Sequence, residues 1–258
     1  MSTTLAGPAR DDRAAIDKAV SLLLALGDRS EAGAGVSELA RRAEMSKTTA
    51  YRVLGMLERN GVVERHGTGY RLGERLHRLG QAVYGPEAER VRDALLPFLT
   101  DLYELTRETV HLAVLHDTHV AYLAKLYGHR SVPVPSRIGG RLPAHATAVG
   151  KVLLAYDFHA AEQAMSKPLR RFTDRTITDP DQLSAELDGI RRTGVALDDE
   201  EYQPGLACVA APVLSRGGRA VAALSVAGRH GRIDTRRLSA QVRQVAAAAS
   251  QGWARHGC

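Results

Sequence analysis

Residues 46–69 constrain the fold most strongly, because an amphipathic segment with a capping residue is followed there by a glycine turn. Ser46 is a suitable N-cap, and Ala50, Val53 and Leu54 follow it at helical spacing. Two short apolar stretches then flank a Gly-Thr-Gly sequence, which is typical of a β-hairpin. The segment therefore predicts a helix followed by a hairpin.

Two further helices are predicted before this segment. Apolar residues at helical spacing mark the first over residues 12–26, and a shorter helix follows with Ser37 as its expected N-cap. Glu44 stands in the turn before Ser46, where left-handed backbone at a non-glycine residue costs about 1 kcal/mol. We therefore expect a turn less tight than one built on glycine. The order helix, helix, turn, helix, hairpin predicts a winged helix-turn-helix.

Basic residues are concentrated in the same part of the chain. Residues 41–80 hold nine basic and four acidic residues, a net charge of +5 against +6 for all 258 residues. A solvated basic face would have this composition, and so would a surface that meets phosphates. The helix order favours the second interpretation, because it predicts a DNA-binding unit.

The predicted third helix supplies the candidate DNA contacts. Its N-terminal turns would enter the major groove, where side chains reach base edges or phosphates. The candidates there are Ser46, Lys47, Thr48, Thr49, Tyr51 and Arg52. Arg52 is the best candidate for contacting guanine. Contacts to the sugar-phosphate backbone are predicted for Arg41, Arg42, Arg65 and Arg71.

The rest of the chain alternates strand pairs with helices. Residues 75–83 predict another helix, and Gly85-Pro86 marks the expected domain boundary. Beyond it, helices are predicted over residues 87–106, 146–156, 181–193 and 235–253, and strand pairs over 109–115 with 120–126 and 208–214 with 220–227. This pattern predicts an α+β fold with an antiparallel sheet.

Three blocks of sequence resemble the IclR family of bacterial transcriptional regulators. They read ELARRAEMSKTTAYRVLGMLERNGVVE with YRLG, GGRLPAHATAVGKVLLA at residues 139–155, and DDEEYQPGLACVAAPV at residues 198–213 followed by AALSVAG. The resemblance runs from about Asp12 to near the end of the chain. It implies a winged helix-turn-helix at residues 12–73, a linker helix at 74–86, and a GAF-like effector-binding and oligomerisation domain at 87–258.

The resemblance also implies a function. It is that of a ligand-responsive transcriptional regulator, expected to be a repressor of a metabolic gene cluster, which senses a small organic acid. The implied partners are a double-stranded DNA operator with palindromic half-sites, a small carboxylate and further copies of the chain in a homodimer or tetramer.

The candidate effector site combines a predicted helix start with residues implied by the resemblance. At the helix start, backbone N–H groups of Ala148 and Val149 are suited to bind an anion, although an ordinary capped helix has the same sequence. The resemblance implies that the polar contacts are Asp198, Cys208 and Ser225, and that Leu142, Leu206 and Val134 form an apolar wall. Ala227 stands where some family members have a second serine, which predicts a less polar pocket.

Other classes of protein and site fit the sequence less well. Cys208 with His145 as base would suit an acyl-transfer enzyme, but Cys208 begins an apolar strand rather than an electropositive helix start. His111, His116 and His119 are interpreted as surface or turn residues rather than metal ligands, and no cofactor or metal is expected. A DNA-binding oligomer without a ligand is a further alternative.

Compartment and covalent cross-links follow from composition. No apolar run approaches the roughly 20 residues of a membrane span, and residues 1–10 lack the apolar core of a signal peptide, which predicts a cytoplasmic protein. The two cysteines, Cys208 and Cys258, are not expected to form a disulfide framework.

Overall fold

The computed structural model describes residues 14–27, 33–82, 85–129 and 133–256. The chain divides into two compact units, Met1–Val83 and Tyr84–Cys258. None of the described helices is both long enough and apolar enough to cross a membrane.

The first unit has the predicted order of elements. Its helices are α1 (Ala15–Gly27), α2 (Val36–Arg42), α3 (Lys47–Arg59) and α4 (Glu74–Ala82), and its strands are β1 (Val63–His66) and β2 (Gly69–Leu72). Residues 12, 13 and 83, which the sequence assigned to helices, lie outside the described residues. The strands pair antiparallel around the turn at Gly67 and Thr68, so the predicted wing is confirmed.

The starts of α2 and α3 differ in how they are capped. Ser46 accepts a hydrogen bond from the backbone N–H of Thr49 and so caps α3 as predicted. The prediction for Ser37 is wrong, because α2 begins at Val36 and its N-cap is Gly35, which has no side chain to accept a bond. The extended backbone of Gly35 already turns the chain into the helix.

The turn between α2 and α3 is tight despite the glutamate. Glu44 has a φ of +52°, and the N–H of Met45 donates to the carbonyl of Ala40 at 2.9 Å. The expectation of a less tight turn is therefore wrong. The hydrogen bond and the packing of both helices on one core offset the cost of left-handed backbone, about 1 kcal/mol.

The second unit is an antiparallel sheet with helices on both faces. In chain order its elements are α5 (Gly85–Thr106), β3 (Thr109–His116), β4 (His119–Leu126), β5 (Arg141–Pro143), a 3₁₀ turn (Ala144–Ala146), α6 (Ala148–Ala155), α7 (Phe158–Met165), α8 (Pro180–Thr193), β6 (Ala196–Asp199), β7 (Leu206–Leu214), β8 (Ala220–Arg229) and α9 (Thr235–His256). The short elements β5, α7 and β6 were not predicted, and the predicted helix 146–156 is a 3₁₀ turn followed by α6.

The sheet order β5-β4-β3-β8-β7-β6 confirms the predicted α+β fold. All neighbouring strands run antiparallel. One face of the sheet packs against α5 and α9, and the other packs against α6, α7 and α8. The second face holds the candidate effector residues.

Gly150 fixes how closely the 3₁₀ turn approaches α6. A Cβ atom at this position would lie 2.2 Å from the carbonyl oxygen of Ala144 and 2.3 Å from its Cα. Both are backbone atoms of a buried turn, so they cannot give way as a flexible side chain would. Gly189 in α8 differs, because a Cβ there would meet only the far end of Arg192, at 3.8 Å.

We expect Gly150→Ala to lower the free energy of unfolding of the second unit by about 2 kcal/mol, the cost of overpacking a closed site. Gly189→Ala is the matched control and should stabilise the unit by up to about 1 kcal/mol through helix propensity. Differential scanning calorimetry measures both. A Gly150→Ala protein as stable as the wild type would contradict the packing described for this turn.

Candidate functional site

The outer face of α3 presents polar and basic side chains at its first two turns. Lys47, Thr48, Tyr51 and Arg52 are exposed, and Tyr51 shows 57% of its surface. Within the described residues Arg52 has no ion pair. This face has the chemistry that base and phosphate contacts require.

Other predicted DNA-contact residues already have partners inside the unit. The hydroxyl groups of Ser46 and Thr49 lie 2.9 Å apart, and that of Ser46 also caps the helix. Arg42 forms an ion pair with Glu38 at 2.9 Å.

The wing arginines are paired as well. Arg65 lies 3.4 Å from Glu58, and Arg71 pairs across the wing with Glu64. Arg41 on α2 is exposed. Arg42 and the wing arginines therefore differ from Arg52, which has no ion pair among the described residues.

A cavity of about 350 Å³, part of it open to solvent, lies on the α6 face of the sheet. All seven residues predicted for the effector site line it, as does Val134. They are Leu142, Ala148, Val149, Asp198, Leu206, Cys208 and Ser225. Residues from five separate elements therefore meet at one cavity.

The start of α6 borders this cavity. Thr147 is the N-cap, and its hydroxyl accepts the N–H of Gly150 at 3.2 Å. Ala148 and Val149 stand in the first turn of α6, where a backbone N–H has no acceptor carbonyl within the helix. Both residues are buried at the cavity wall, where these N–H groups and the positive end of the helix dipole favour an anion.

Asp198 is a buried carboxyl group in the wall opposite. Its side chain is 3% exposed and lies beside Cys208, its partner in the pairing of β6 with β7. Burial, and to a lesser degree the charge of Glu201, raises the pKa of Asp198 to about 7. The group is therefore largely protonated below neutral pH and can then donate a hydrogen bond into the cavity.

A buried ion pair lies behind this wall. Lys151 of α6 is 1% exposed and donates to Glu201 at 2.5 Å and to Glu186 at 3.1 Å. The backbone N–H of Glu201 in turn donates to Asp198 at 2.8 Å. Lys151 thus joins α6, whose start borders the cavity, to Glu201, and the backbone N–H of Glu201 is hydrogen-bonded to Asp198.

His111 was interpreted from the sequence as a surface or turn residue, and this is wrong. It is 3% exposed and lines the cavity, because β3 is a central strand covered on both faces. Its Nε2 lies 2.8 Å from the hydroxyl of Ser136 and its Nδ1 lies 3.3 Å from that of Ser225. Burial, together with the charge of Lys125, lowers the pKa of His111 to about 3, so the ring is neutral.

The sequence analysis missed further cavity residues besides His111. They are Tyr122, Pro135, Ser136, Thr147 and Tyr202. Thr147 carried a local signal, since threonine before an apolar helix is a suitable N-cap. Tyr122 and His111 reach the cavity through strand pairing, and nothing in their neighbouring residues indicates it.

Acyl transfer by Cys208 and metal binding by histidines were the two other kinds of site considered. Burial raises the pKa of the Cys208 thiol, which disfavours the thiolate that acyl transfer needs. His145 is engaged elsewhere, since its Nε2 lies 3.0 Å from the carbonyl oxygen of Arg170. Among the described residues, no three histidine, cysteine or acidic side chains are grouped as metal ligands.

Two family models together match most of the chain. The model for the C-terminal domain of the bacterial transcriptional regulator IclR matches residues 87–252, and the model for the IclR helix-turn-helix domain matches residues 15–67.

Curated relatives match over nearly the whole chain. The HTH-type transcriptional regulator KdgR of Escherichia coli is 35% identical over 243 residues, which are 93% of this chain and 91% of KdgR. The HTH-type transcriptional regulator BhcR of Paracoccus denitrificans is 35% identical over 243 residues, 92% of this chain and 85% of BhcR.

Solved structures show the same fold. The IclR protein of Thermotoga maritima matches with a TM-score of 0.78 at 30% identity, covering 93% of this chain and 98% of that one. An IclR homolog from Microbacterium hydrocarbonoxydans, in complex with 4-hydroxybenzoate, matches with a TM-score of 0.73 at 30% identity, covering 94% and 99%. This chain therefore belongs to the IclR family of bacterial transcriptional regulators, with a helix-turn-helix DNA-binding domain and a C-terminal effector domain.

Proposed function

We propose that this protein represses a metabolic gene cluster and that a small organic acid bound in the sheet cavity controls its binding to DNA. The observation that carries the proposal is the convergence of a buried helix start, Asp198, Cys208 and Ser225 on one cavity. Backbone N–H groups at a helix start favour a carboxylate, and the apolar side chains around them favour a compact organic body.

The two parts of the chain have separate roles in this proposal. Residues 12–73 bind the operator, and residues 74–86 form a linker helix. Residues 87–258 bind the effector and form the contacts of a homodimer or tetramer. Thr48, Tyr51 and Arg52 contact bases, and Lys47, Arg41 and the wing arginines contact phosphates. Two copies would read the half-sites of a palindrome. Binding to chromosomal DNA would place the protein in the cytoplasm.

Two relatives support the binding of an organic acid and the role as a repressor. The structural neighbour from Microbacterium hydrocarbonoxydans was solved with 4-hydroxybenzoate, which is an organic acid. The HTH-type transcriptional repressor AllR of Klebsiella pneumoniae is 30% identical over 233 residues, 88% of this chain and 84% of AllR. Ala227 in the cavity wall of this chain adds an apolar surface, which favours an effector with a larger apolar part.

We expect Arg52→Ala to weaken operator binding by roughly ten- to a hundredfold, the loss of one bidentate contact to guanine. The operator is first selected from chromosomal fragments with the wild-type protein, and affinities are then measured by gel shift. Arg192→Ala, at an exposed position of α8, is the control and should bind normally. Equal affinity of the Arg52→Ala and wild-type proteins would remove Arg52 from the reading face.

Effector binding should depend on pH through Asp198. A carboxylate effector stays ionised between pH 6 and 8, whereas Asp198 loses its proton as the pH rises through about 7 and then repels the effector. Affinity should therefore fall as the pH rises, by up to about tenfold per unit above pH 7. The effector is found by a thermal-shift screen of small carboxylates and aromatic acids, and its affinity is measured by calorimetry.

Asp198→Asn is the matched variant, because it keeps the shape of the side chain and removes its titration. Its affinity for the effector should be nearly constant from pH 6 to 8. A pH dependence equal to that of the wild type would exclude Asp198 from the site. Should no acid in the screen bind, the alternative of a DNA-binding oligomer without a ligand would replace the present proposal.

A further inference from the structure

His111 joins two hydroxyl groups that belong to different parts of the cavity wall. Ser225 lies on β8, directly opposite His111 in the pairing of β3 with β8. Ser136 lies in the segment that leads towards β5, and Val134 and Pro135 of that segment also line the cavity. The distances of 3.3 Å and 2.8 Å make one continuous hydrogen-bonded chain from Ser225 through the ring to Ser136.

A cation is fixed at one end of this chain. Lys125 pairs with His111 across β3 and β4, and its Nζ donates to the backbone carbonyl of Ser136 at 2.8 Å. The side chain is 7% exposed, so little water screens its charge. The ammonium group therefore lies near the Nε2 end of the ring, where Ser136 is bound.

A neutral imidazole has one N–H donor and one bare nitrogen, and the bare nitrogen is the negative end of the ring dipole. A nearby cation stabilises the tautomer whose bare nitrogen faces it. Lys125 therefore favours a bare Nε2, which accepts the hydroxyl proton of Ser136, and a protonated Nδ1, which donates to the oxygen of Ser225. The low pKa of His111 agrees with a ring that stays neutral throughout.

We propose that His111 is a positioning residue, held by Lys125 as the Nδ1–H tautomer, which turns the hydroxyl hydrogen of Ser225 towards the effector. Ser225 then donates to the effector, which must present an oxygen acceptor at this point. The inference rests on the proposed function and adds to it the orientation of the Ser225 hydroxyl, a donor separate from the start of α6 and from Asp198. The cavity would accept carboxylates or carbonyl groups there and reject an ammonium group.

The tautomer can be measured in the full-length protein without any ligand. Nitrogen-15 NMR of protein labelled in the rings of its ten histidines reports which nitrogen of each ring carries the proton. His111 is identified as the ring that is perturbed by both Ser136→Ala and Ser225→Ala, since it contacts both hydroxyl groups. We expect Nδ1 protonated and Nε2 bare from pH 6 to 8. A protonated Nε2 would overturn the inference.

Lys125→Met tests the cause of the preference. Removing the cation should raise the population of the Nε2–H form, and an unchanged tautomer would contradict the role given to Lys125. Should this variant fail to fold, the wild-type tautomer still decides the inference.

Ser225→Ala should weaken the binding of a carboxylate found by the screen about tenfold, because one hydrogen bond to a charged acceptor is lost. A screen without any bound acid contradicts the proposed function, whereas the opposite tautomer contradicts only the present inference.

Discussion

The buried start of α6 is the constraint on which the effector unit depends. The first backbone N–H groups of a helix have no acceptor within it, and burying them without one is costly. The hydroxyl of Thr147 accepts the N–H of Gly150, and the absence of a side chain at Gly150 lets the 3₁₀ turn pack closely against the helix. Ala148 and Val149 line the cavity at this helix start, and under the proposed function a bound anion would accept hydrogen bonds from their N–H groups.

The rest of the cavity is built from neutral groups rather than free charges. His111 is kept neutral and Asp198 is largely protonated below neutral pH, because both are buried. Lys151, although close by, is neutralised by Glu186 and Glu201. An anion would therefore be held by fixed dipoles and N–H or O–H donors, which select by geometry more than by net charge.

Local features of the sequence predicted most of the DNA-binding unit and less of the effector cavity. The Ser46 cap and the wing turn depend on residues within a few positions of one another, so their signals are visible in sequence. The prediction of Ser37 as an N-cap was wrong, because any serine near a helix start resembles a cap in sequence. His111, Tyr122 and Ser136 reach the cavity through strand pairing and the return of a loop, and such long-range contacts leave no local pattern. The resemblance to the family supplied Asp198, Cys208 and Ser225, which periodicity alone would not have selected.

Control of DNA binding by the cavity requires a coupling free energy between the two sites, and such coupling is reciprocal. The most direct measurement is the affinity of the effector for the protein, by calorimetry, with and without a saturating operator duplex. The account predicts weaker effector binding in the presence of operator, by the same factor, about 5- to 150-fold, as the effector weakens operator binding. Equal effector affinity in the two titrations would show that the cavity does not control the DNA-binding unit.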